Sequence, residues 1–341
     1  MRLELVCIEA GAPPRLAVRS VEVPQPGTGQ VLVRVQATSV NPIDAKRAAG
    51  YGRRLLGLKG AARFPLVLGN DVAGIVEAIG AGVTRFTRGQ RVFGLLGTGR
   101  AGSAHASHVV VPQDLLLPAP HDADPTALAV LPYSFTTMWL ALRSSGITTG
   151  NARAARVLIN GATGGLGRLA MQLLHHWGSE ITAICGRGQR QTGLGLGAQV
   201  AVEHGPACIE SLPSDFDVVL NFANWDDDAH LASRLGAGAM GQATTVHPLL
   251  ANFDRLGWLG GAWASRRDWN QVRAIVASRA PNASYAWTIF KPDRDALEAL
   301  AEGVRARGLA LPIGIAVPFD NAIAAFDHVS AGQPGRAVLV A

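Results

Sequence analysis

A short glycine-rich run between an apolar stretch and an amphipathic one carries the clearest chemistry in the chain. Arg156-Val-Leu-Ile-Asn-Gly-Ala-Thr-Gly-Gly-Leu-Gly167 runs directly into Arg168-Leu-Ala-Met-Gln-Leu-Leu174. Val157 to Ile159 suits a buried parallel strand. Leu166, Leu169, Ala170, Leu173, Leu174 and Trp177 fall at helical spacing on one face. Strand, glycine turn and helix in that order match a dinucleotide fingerprint, with Ala162 in place of its first glycine and Gly164 and Gly167 as the others. Gly164 would let backbone approach a pyrophosphate, and Gly167 would let the helix pack close to the sheet. The helix start would add N–H groups and a positive dipole end. Ala162, Thr163, Gly164, Gly165, Leu166 and Gly167 are therefore candidate cofactor-binding residues; a plain tight turn is the alternative.

The next strand of such a fold ends beside the adenosine ribose. Chains that hold the ribose 2′-hydroxyl usually carry an acid there. Here Ile181-Thr-Ala-Ile184 is followed by Cys185-Gly-Arg-Gly-Gln-Arg190. With no acid and two arginines, Arg187 and Arg190 read as partners for a 2′-phosphate, hence NADPH, through the planar guanidinium fork. Solvated surface charges are the other reading. His247 follows an apolar strand near Val246. Strand C-termini carry the ligand crevice in this architecture, so it is a cofactor-side candidate, with a structural histidine as the alternative.

Around these residues the chain must supply a sheet with helices on it. At 341 residues it is long for one core, which suggests two domains. Residues 1–120 look β-rich. Val31-Leu-Val-Arg-Val-Gln-Ala37 alternates as a half-buried strand does, and Val72–Ile79 and Arg91–Phe93 read as further strands. That is a small barrel-like or sandwich-like β domain. From about 121 the pattern changes to helix, then repeating strand–helix units through Val157, Ile181, Val200, Val218 and Gln242: a doubly wound α/β domain over 121–290. Beyond Lys291, two helices and two strands read as a tail, 291–341, returning to the first domain. Trp258, Trp263, Trp269 and Trp287 could line a substrate wall or a subunit interface, with core packing as the default.

Composition narrows the classes. The formal net charge is +6, but the arginines are scattered, with no basic run interleaved with aromatics, so no nucleic-acid partner is expected. No apolar stretch reaches membrane-spanning length. Met1-Arg-Leu-Glu-Leu-Val6 enters a strand-like pattern without a signal-peptide layout, and a cytoplasmic location is the expectation. Cys7, Cys185 and Cys208 lie far apart, which excludes a four-cysteine zinc site and leaves them as small hydrophobes.

Several runs in order resemble one family: Asn41-Pro-Ile-Asp44; Phe64-Pro-Leu-Val-Leu-Gly-Asn-Asp-Val-Ala-Gly-Ile-Val-Glu-Ala-Ile-Gly80; Val83-Thr-Arg-Phe-Thr-Arg-Gly-Gln-Arg-Val92; Leu131-Pro-Tyr-Ser-Phe-Thr-Thr137; the glycine turn; and Gly335-Arg-Ala-Val-Leu339. Together they resemble the medium-chain dehydrogenase/reductase superfamily, in its zinc-free quinone oxidoreductase branch. Gly50-Tyr51-Gly52 and Tyr285-Ala-Trp-Thr-Ile-Phe290 lean toward the reticulon-interacting subgroup. The resemblance implies a GroES-like β domain, a Rossmann domain and a cleft between them. It implies NADPH with a quinone or conjugated carbonyl as small-molecule substrate, and a homodimer as the assembly.

Zinc-dependent members place cysteine where this chain has Asn41 and a His-Glu pair where it has Asn70 and Asp71. Amides are poor zinc ligands, so no metal is expected. Without a Lewis acid, a conjugated acceptor that spreads the incoming charge is the easier substrate.

The resemblance also distributes roles. Asn41, Asp44 and Tyr51 are the candidate catalytic residues, the first two on a loop that should face the nicotinamide: Asn41 to hydrogen-bond the substrate carbonyl or a water, Asp44 to orient neighbours or hold the loop, Tyr51 as proton donor or substrate contact. Turn chemistry for the first two and an exposed loop tyrosine for the third are the alternatives. Tyr133 and Thr137 match the helix that approaches the cofactor, with helix packing as the other reading. Arg336 belongs to the closing motif and is grouped with the cofactor contacts. His204, where zinc-free relatives often carry tyrosine, either lines the adenosine pocket or is a surface histidine. Asn221, where an acid is usual, and Gln90 of Gly89-Gln90, in place of Gly-Asp, depart from the family pattern.

Overall fold

A computed structural model of the chain describes residues 1–98, 103–205 and 207–341. Strands β1 (Arg2–Glu9), β2 (Arg15–Val21) and β3 (Gln30–Val40) lead into helices α1 (Pro42–Ala48) and α2 (Arg53–Gly57). Then come β4 (Leu66–Val67), β5 (Asp71–Ile79), β6 (Arg91–Leu95), β7 (His108–Pro112) and β8 (Leu116–Pro118). Helices α3 (Pro125–Leu128) and α4 (Pro132–Ser144) precede β9 (Arg156–Asn160), α5 (Gly165–His176), β10 (Glu180–Cys185), α6 (Arg190–Gly195), β11 (Val200–Glu203) and β12 (Val218–Asn221). The chain continues through α7 (Asp228–Ala232), β13 (Gly241–Thr244), α8 (Leu249–Arg279) and β14 (Ser284–Trp287), and ends with α9 (Arg294–Arg305), β15 (Ile313–Pro318), α10 (Ala322–Ser330) and β16 (Arg336–Val340). It divides into two compact units: unit 1 is Met1–Tyr133, Phe253–Arg255 and Lys291–Ala341, and unit 2 is Ser134–Asn252 and Leu256–Phe290.

Unit 1 holds two sheets. One orders β2-β1-β4; the other orders β15-β16-β3-β5-β6-β8, with β7 also on β3. The tail closes this unit, because β16 pairs antiparallel with β3 from Ala337 opposite Val40. The half-buried alternation expected for β3 holds only in part. Val31, Leu32 and Val33 are all buried, and Arg34 is exposed. The physical reason is its central place: β5, β7 and β16 pair along its edges, and its side chains enter two separate cores, Val31, Val33 and Val35 in one and Val40 in the other. Phe319 and Phe326 from the tail pack with Leu5, Leu68 and Leu339 in one core, each aliphatic or aromatic side chain contributing about 1.5–3 kcal/mol on burial.

Unit 2 is a six-stranded parallel sheet ordered β11-β10-β9-β12-β13-β14. The order reverses between β9 and β12, which is the switch point of a doubly wound fold. Val157, Leu158 and Ile159 are each 0% exposed, because helices cover both faces of a parallel sheet. The long α8 escaped the sequence reading. Gly257 breaks it with φ of 74°, so its apolar rhythm changes phase midway. Two of the four tryptophans taken as core are corrected here. Trp269 and Trp287 pack on the unit 2 core, whereas Trp258 is 46% and Trp263 66% exposed. The buried face of that part of α8 is Gly261, Ala264 and Ser265, which turns Trp263 outward.

Candidate functional site

The glycine turn joins β9 to α5 in unit 2. Gly161 takes φ of 80°, a left-handed conformation that glycine adopts without strain. The turn is tied to the end of β10: the N–H groups of Gly161 and Ala162 both donate to Ile184 O at 3.1 Å, and Gly186 N–H donates to Thr163 Oγ1 at 3.2 Å. A Cβ on Gly167 would stand 2.2 Å from Gly161 O and 2.6 Å from Ala162 Cα, so only glycine lets α5 start this close to the turn. Gly164 is different. It is exposed at the N-cap of α5, and a Cβ there would meet only Gly161 O, at 3.3 Å. Fold packing requires Gly167; an open approach is what Gly164 provides. With Gly165 and Leu166 half-buried on the first turn of α5, whose initial N–H groups lack helical acceptors, the cradle fits a dinucleotide pyrophosphate.

The other expected cofactor residues are dispersed. Arg187 is exposed in the turn after β10; Arg190 opens α6, also exposed, and its Nε donates to Ala201 O at 3.0 Å. His204 follows β11, with Nε2 2.8 Å from Asp227 Oδ2. Asp227 also accepts from Asn160 at 3.1 Å and Asn224 at 2.8 Å, so His204 joins a polar set at the strand ends. His247 stacks on Trp287, with centroids 5.0 Å apart and rings 7° from parallel. Its Nε2–H donates to Thr288 O at 3.3 Å. Burial lowers its pKa to about 4, so the ring is neutral at physiological pH, and Nδ1 is buried with no partner among the described residues. Below it, Trp287 Nε1–H donates to Tyr285 Oη, which donates to the buried Asp228. Thr137, also in unit 2, is buried in α4.

In unit 1, the residues expected to act on substrate form a buried polar cluster. Asn41 precedes α1 and is 0% exposed. Its Nδ2 donates to Ser39 Oγ at 2.9 Å and to Asp71 Oδ2 at 2.8 Å, and its Oδ1 accepts from Arg336 Nη2. Asp44 is equally buried and accepts from the N–H groups of Asn41 at 2.9 Å and Gly69 at 3.0 Å. Both polar atoms of the Asn41 side chain are thus engaged inside the protein. Through these bonds Asp44 ties the start of α1 to the Gly69 turn. Arg336, grouped above with the cofactor contacts, has its guanidinium held by Asn41 among carboxylates of unit 1, with Nε buried and without a partner among the described residues. Tyr51 is half-buried between α1 and α2; Lys46 Nζ lies 5.7 Å from its ring centroid, and the next residue, Gly52, donates to Asp254 Oδ2 at 2.5 Å.

The hub of this cluster is Asp71, which the sequence reading considered only as a replaced metal ligand. It accepts from Ser39 Oγ at 2.5 Å, from Asn41 Nδ2, and from the N–H of Tyr133 at 2.6 Å. Burial pushes its carboxyl up to about 6, against the pull of those hydrogen bonds and of the Arg336 charge. His105 completes the surroundings, with Nε2 donating to Ser39 O at 3.0 Å. One signal could have exposed Asp71: an acid at the start of the apolar run Val72-Ala-Gly-Ile-Val76 must be satisfied if buried.

Zinc does not fit the donor set of this cluster. Asn41 and Asp71 are bonded to each other, and Asn70 Nδ2 donates to Leu96 O at 2.9 Å. These three positions offer two amides and one engaged carboxylate but no sulfur, and the neighbouring His105 imidazole is tied to Ser39 O through Nε2.

Comparison with known proteins follows the same lines. Residues 27–121 match the alcohol dehydrogenase GroES-like domain. NAD(P)H oxidoreductase RTN4IP1, mitochondrial, of Mus musculus is 30% identical over 323 residues, 89% of this chain and 79% of that protein. The chloroplastic quinone-oxidoreductase homolog of Spinacia oleracea is 33% identical over 186 residues, 54% of this chain and 55% of that one. The structure of the quinone oxidoreductase from Coxiella burnetii superposes with a TM-score of 0.81 at 20% identity, covering 100% of both chains, a likeness of fold. The two units are thus the GroES-like and Rossmann-like halves of a shared architecture. The chain belongs to the medium-chain dehydrogenase/reductase superfamily, a family of oxidoreductases, as a quinone oxidoreductase-like and RTN4IP1-like member.

The cytoplasmic expectation is corrected by these relatives. The mouse, human, bovine and Caenorhabditis elegans proteins are all named mitochondrial, so the expectation does not stand. The absent layout is that of a secretory signal, and mitochondrial import uses a different one, so its absence does not separate the two compartments. Among the described residues, no helix is long and apolar enough to cross a membrane.

Proposed function

We propose that the chain is an NADPH-dependent oxidoreductase that reduces quinones or α,β-unsaturated carbonyls by direct hydride transfer without zinc. The observation that carries this reading is the pairing of an intact cofactor cradle at Gly161–Gly167 with a cluster at Asn41, Asn70 and Asp71 whose donors do not suit a metal. Relatives named NAD(P)H oxidoreductases and quinone oxidoreductase homologues support a nicotinamide cofactor and a small-molecule acceptor.

When bound, the reduced nicotinamide supplies the hydride. The protein's contribution is position and charge. Gly164 leaves room for the pyrophosphate, and the start of α5 offers N–H groups to it. Arg187 and Arg190 favour a 2′-phosphate over a bare hydroxyl. Neutral His247, held by Thr288 and Trp287, presents a ring nitrogen as acceptor without adding a charge. Asn41, Asp44, Asp71 and Arg336 set the conformation of the segment leading to Tyr51, which meets the acceptor. A conjugated acceptor delocalises the charge it receives, so hydrogen-bond donors suffice where a simple ketone would call for a Lewis acid. Water serves as the proton source.

The test is isotopic. With NADPH deuterated at C4 and a small enone, deuterium should appear at the β-carbon of the saturated product, from one face of the nicotinamide only. Loss of the label to solvent would contradict direct transfer.

A further inference from the structure

A cavity lies in unit 1, built by β1, β2, β4, β7 and the segment before β4. Its volume is about 430 Å³, and Arg2, Arg19 and Arg63 all line it. One buried carboxylate, Glu4, sits among them at 2% exposure. Arg2 Nη2 reaches Glu4 Oε2 at 2.8 Å, and Arg19 Nε reaches Oε1 at 2.5 Å. Arg63 is exposed, and no acid pairs with it among the described residues. Among the described residues that line it, three guanidinium groups face one carboxylate, an excess of two positive charges. Arg2 adds an unused donor, since its Nε is buried and has no partner among the described residues.

Arginine forks match the oxygens of phosphate and carboxylate. Two spare charges match a dianion, which favours a phosphate monoester over a monocarboxylate. Phe64, Leu66 and Val109 contribute apolar wall, which suits an organic body on the phosphate. All of these residues lie outside the cofactor cradle, and all belong to unit 1. We propose that this cavity is a binding site for an organic phosphate monoester, separate from the nicotinamide site. The proposal does not rest on the reading of the catalytic function.

Titration calorimetry on the full chain tests it, at low ionic strength and with the protein first saturated with NADPH. The probes are phenyl phosphate, inorganic phosphate and benzoate. Phenyl phosphate should still bind, with benzoate and inorganic phosphate each weaker by about tenfold. Because Arg63 is exposed, Arg63→Ala and Arg63→Glu should fold normally, as circular dichroism will report. The first should weaken phenyl phosphate by about tenfold, and the second should abolish binding. Arg187→Ala should leave it unchanged. The proposal is overturned if phenyl phosphate fails to bind below about 1 mM, if NADPH excludes it, or if Arg63→Glu binds it as the parent does.

Discussion

Asp71 shows how a single residue can govern a site it was never suspected of holding. Its carboxyl gathers donors from Ser39, Asn41 and Tyr133, and Arg336 adds charge nearby. Burial raises its pKa to about 6, above the ordinary carboxylate value of about 3.9. Between those values the folded protein holds a proton that the unfolded chain has released. The Asp71 contribution therefore favours folding at low pH and declines as pH rises through about 4 to about 6, by about 3 kcal/mol in all. Urea denaturation of the parent and of Asp71→Asn across this range should show the parent losing ground to the variant as pH rises. A difference independent of pH would mean that the carboxyl titrates normally. Arg187 and Arg190 carry a second prediction at this scale. Replacing both with alanine should weaken NADPH by about tenfold or more and leave NADH nearly unchanged, as measured by fluorescence titration. Equal losses would show that neither arginine reads the 2′-phosphate. The two arginines could be singled out because they are neighbours in sequence. The Asp71 cluster was not, since its members come from residues 39, 41, 71, 133 and 336 and meet only after β16 pairs with β3.

Among the elements, the β9–turn–α5 unit was fully legible, because strand, glycines and helix are contiguous and each obeys its own periodicity. Its two glycines separate by function. Gly167→Ala would force a Cβ to within 2.2 Å of a backbone oxygen, so α5 must shift; thermal unfolding should fall by several degrees and cofactor affinity with it. Gly164→Val meets only Gly161 O on the same measure, at an ordinary φ of −77°. It should leave unfolding nearly unchanged while weakening the cofactor by about tenfold or more, because its side chain fills the approach. Parallel losses of stability in both variants would contradict this division. By contrast, α8 was illegible. The break at Gly257 interrupts its rhythm, and its outward face carries tryptophans that read as core.

At the scale of the whole chain, the change from a β-rich first part to repeating strand–helix units was readable from composition and period alone. The pairing of the tail with β3 was anticipated only as a return to the first domain; its register depends on long-range pairing that no local pattern encodes. What the molecule does as a whole turns on whether its nicotinamide hydride goes to a conjugated acceptor without a metal. The direct measurement is steady-state oxidation of NADPH by the purified chain with a panel of small quinones, enones, saturated ketones and aldehydes, with and without a chelator and alongside elemental analysis. The account predicts turnover with quinones or enones, little with saturated ketones, no stoichiometric zinc and no effect of the chelator. Saturated ketones as the better substrates, or activity that depends on one bound zinc per chain, would contradict it.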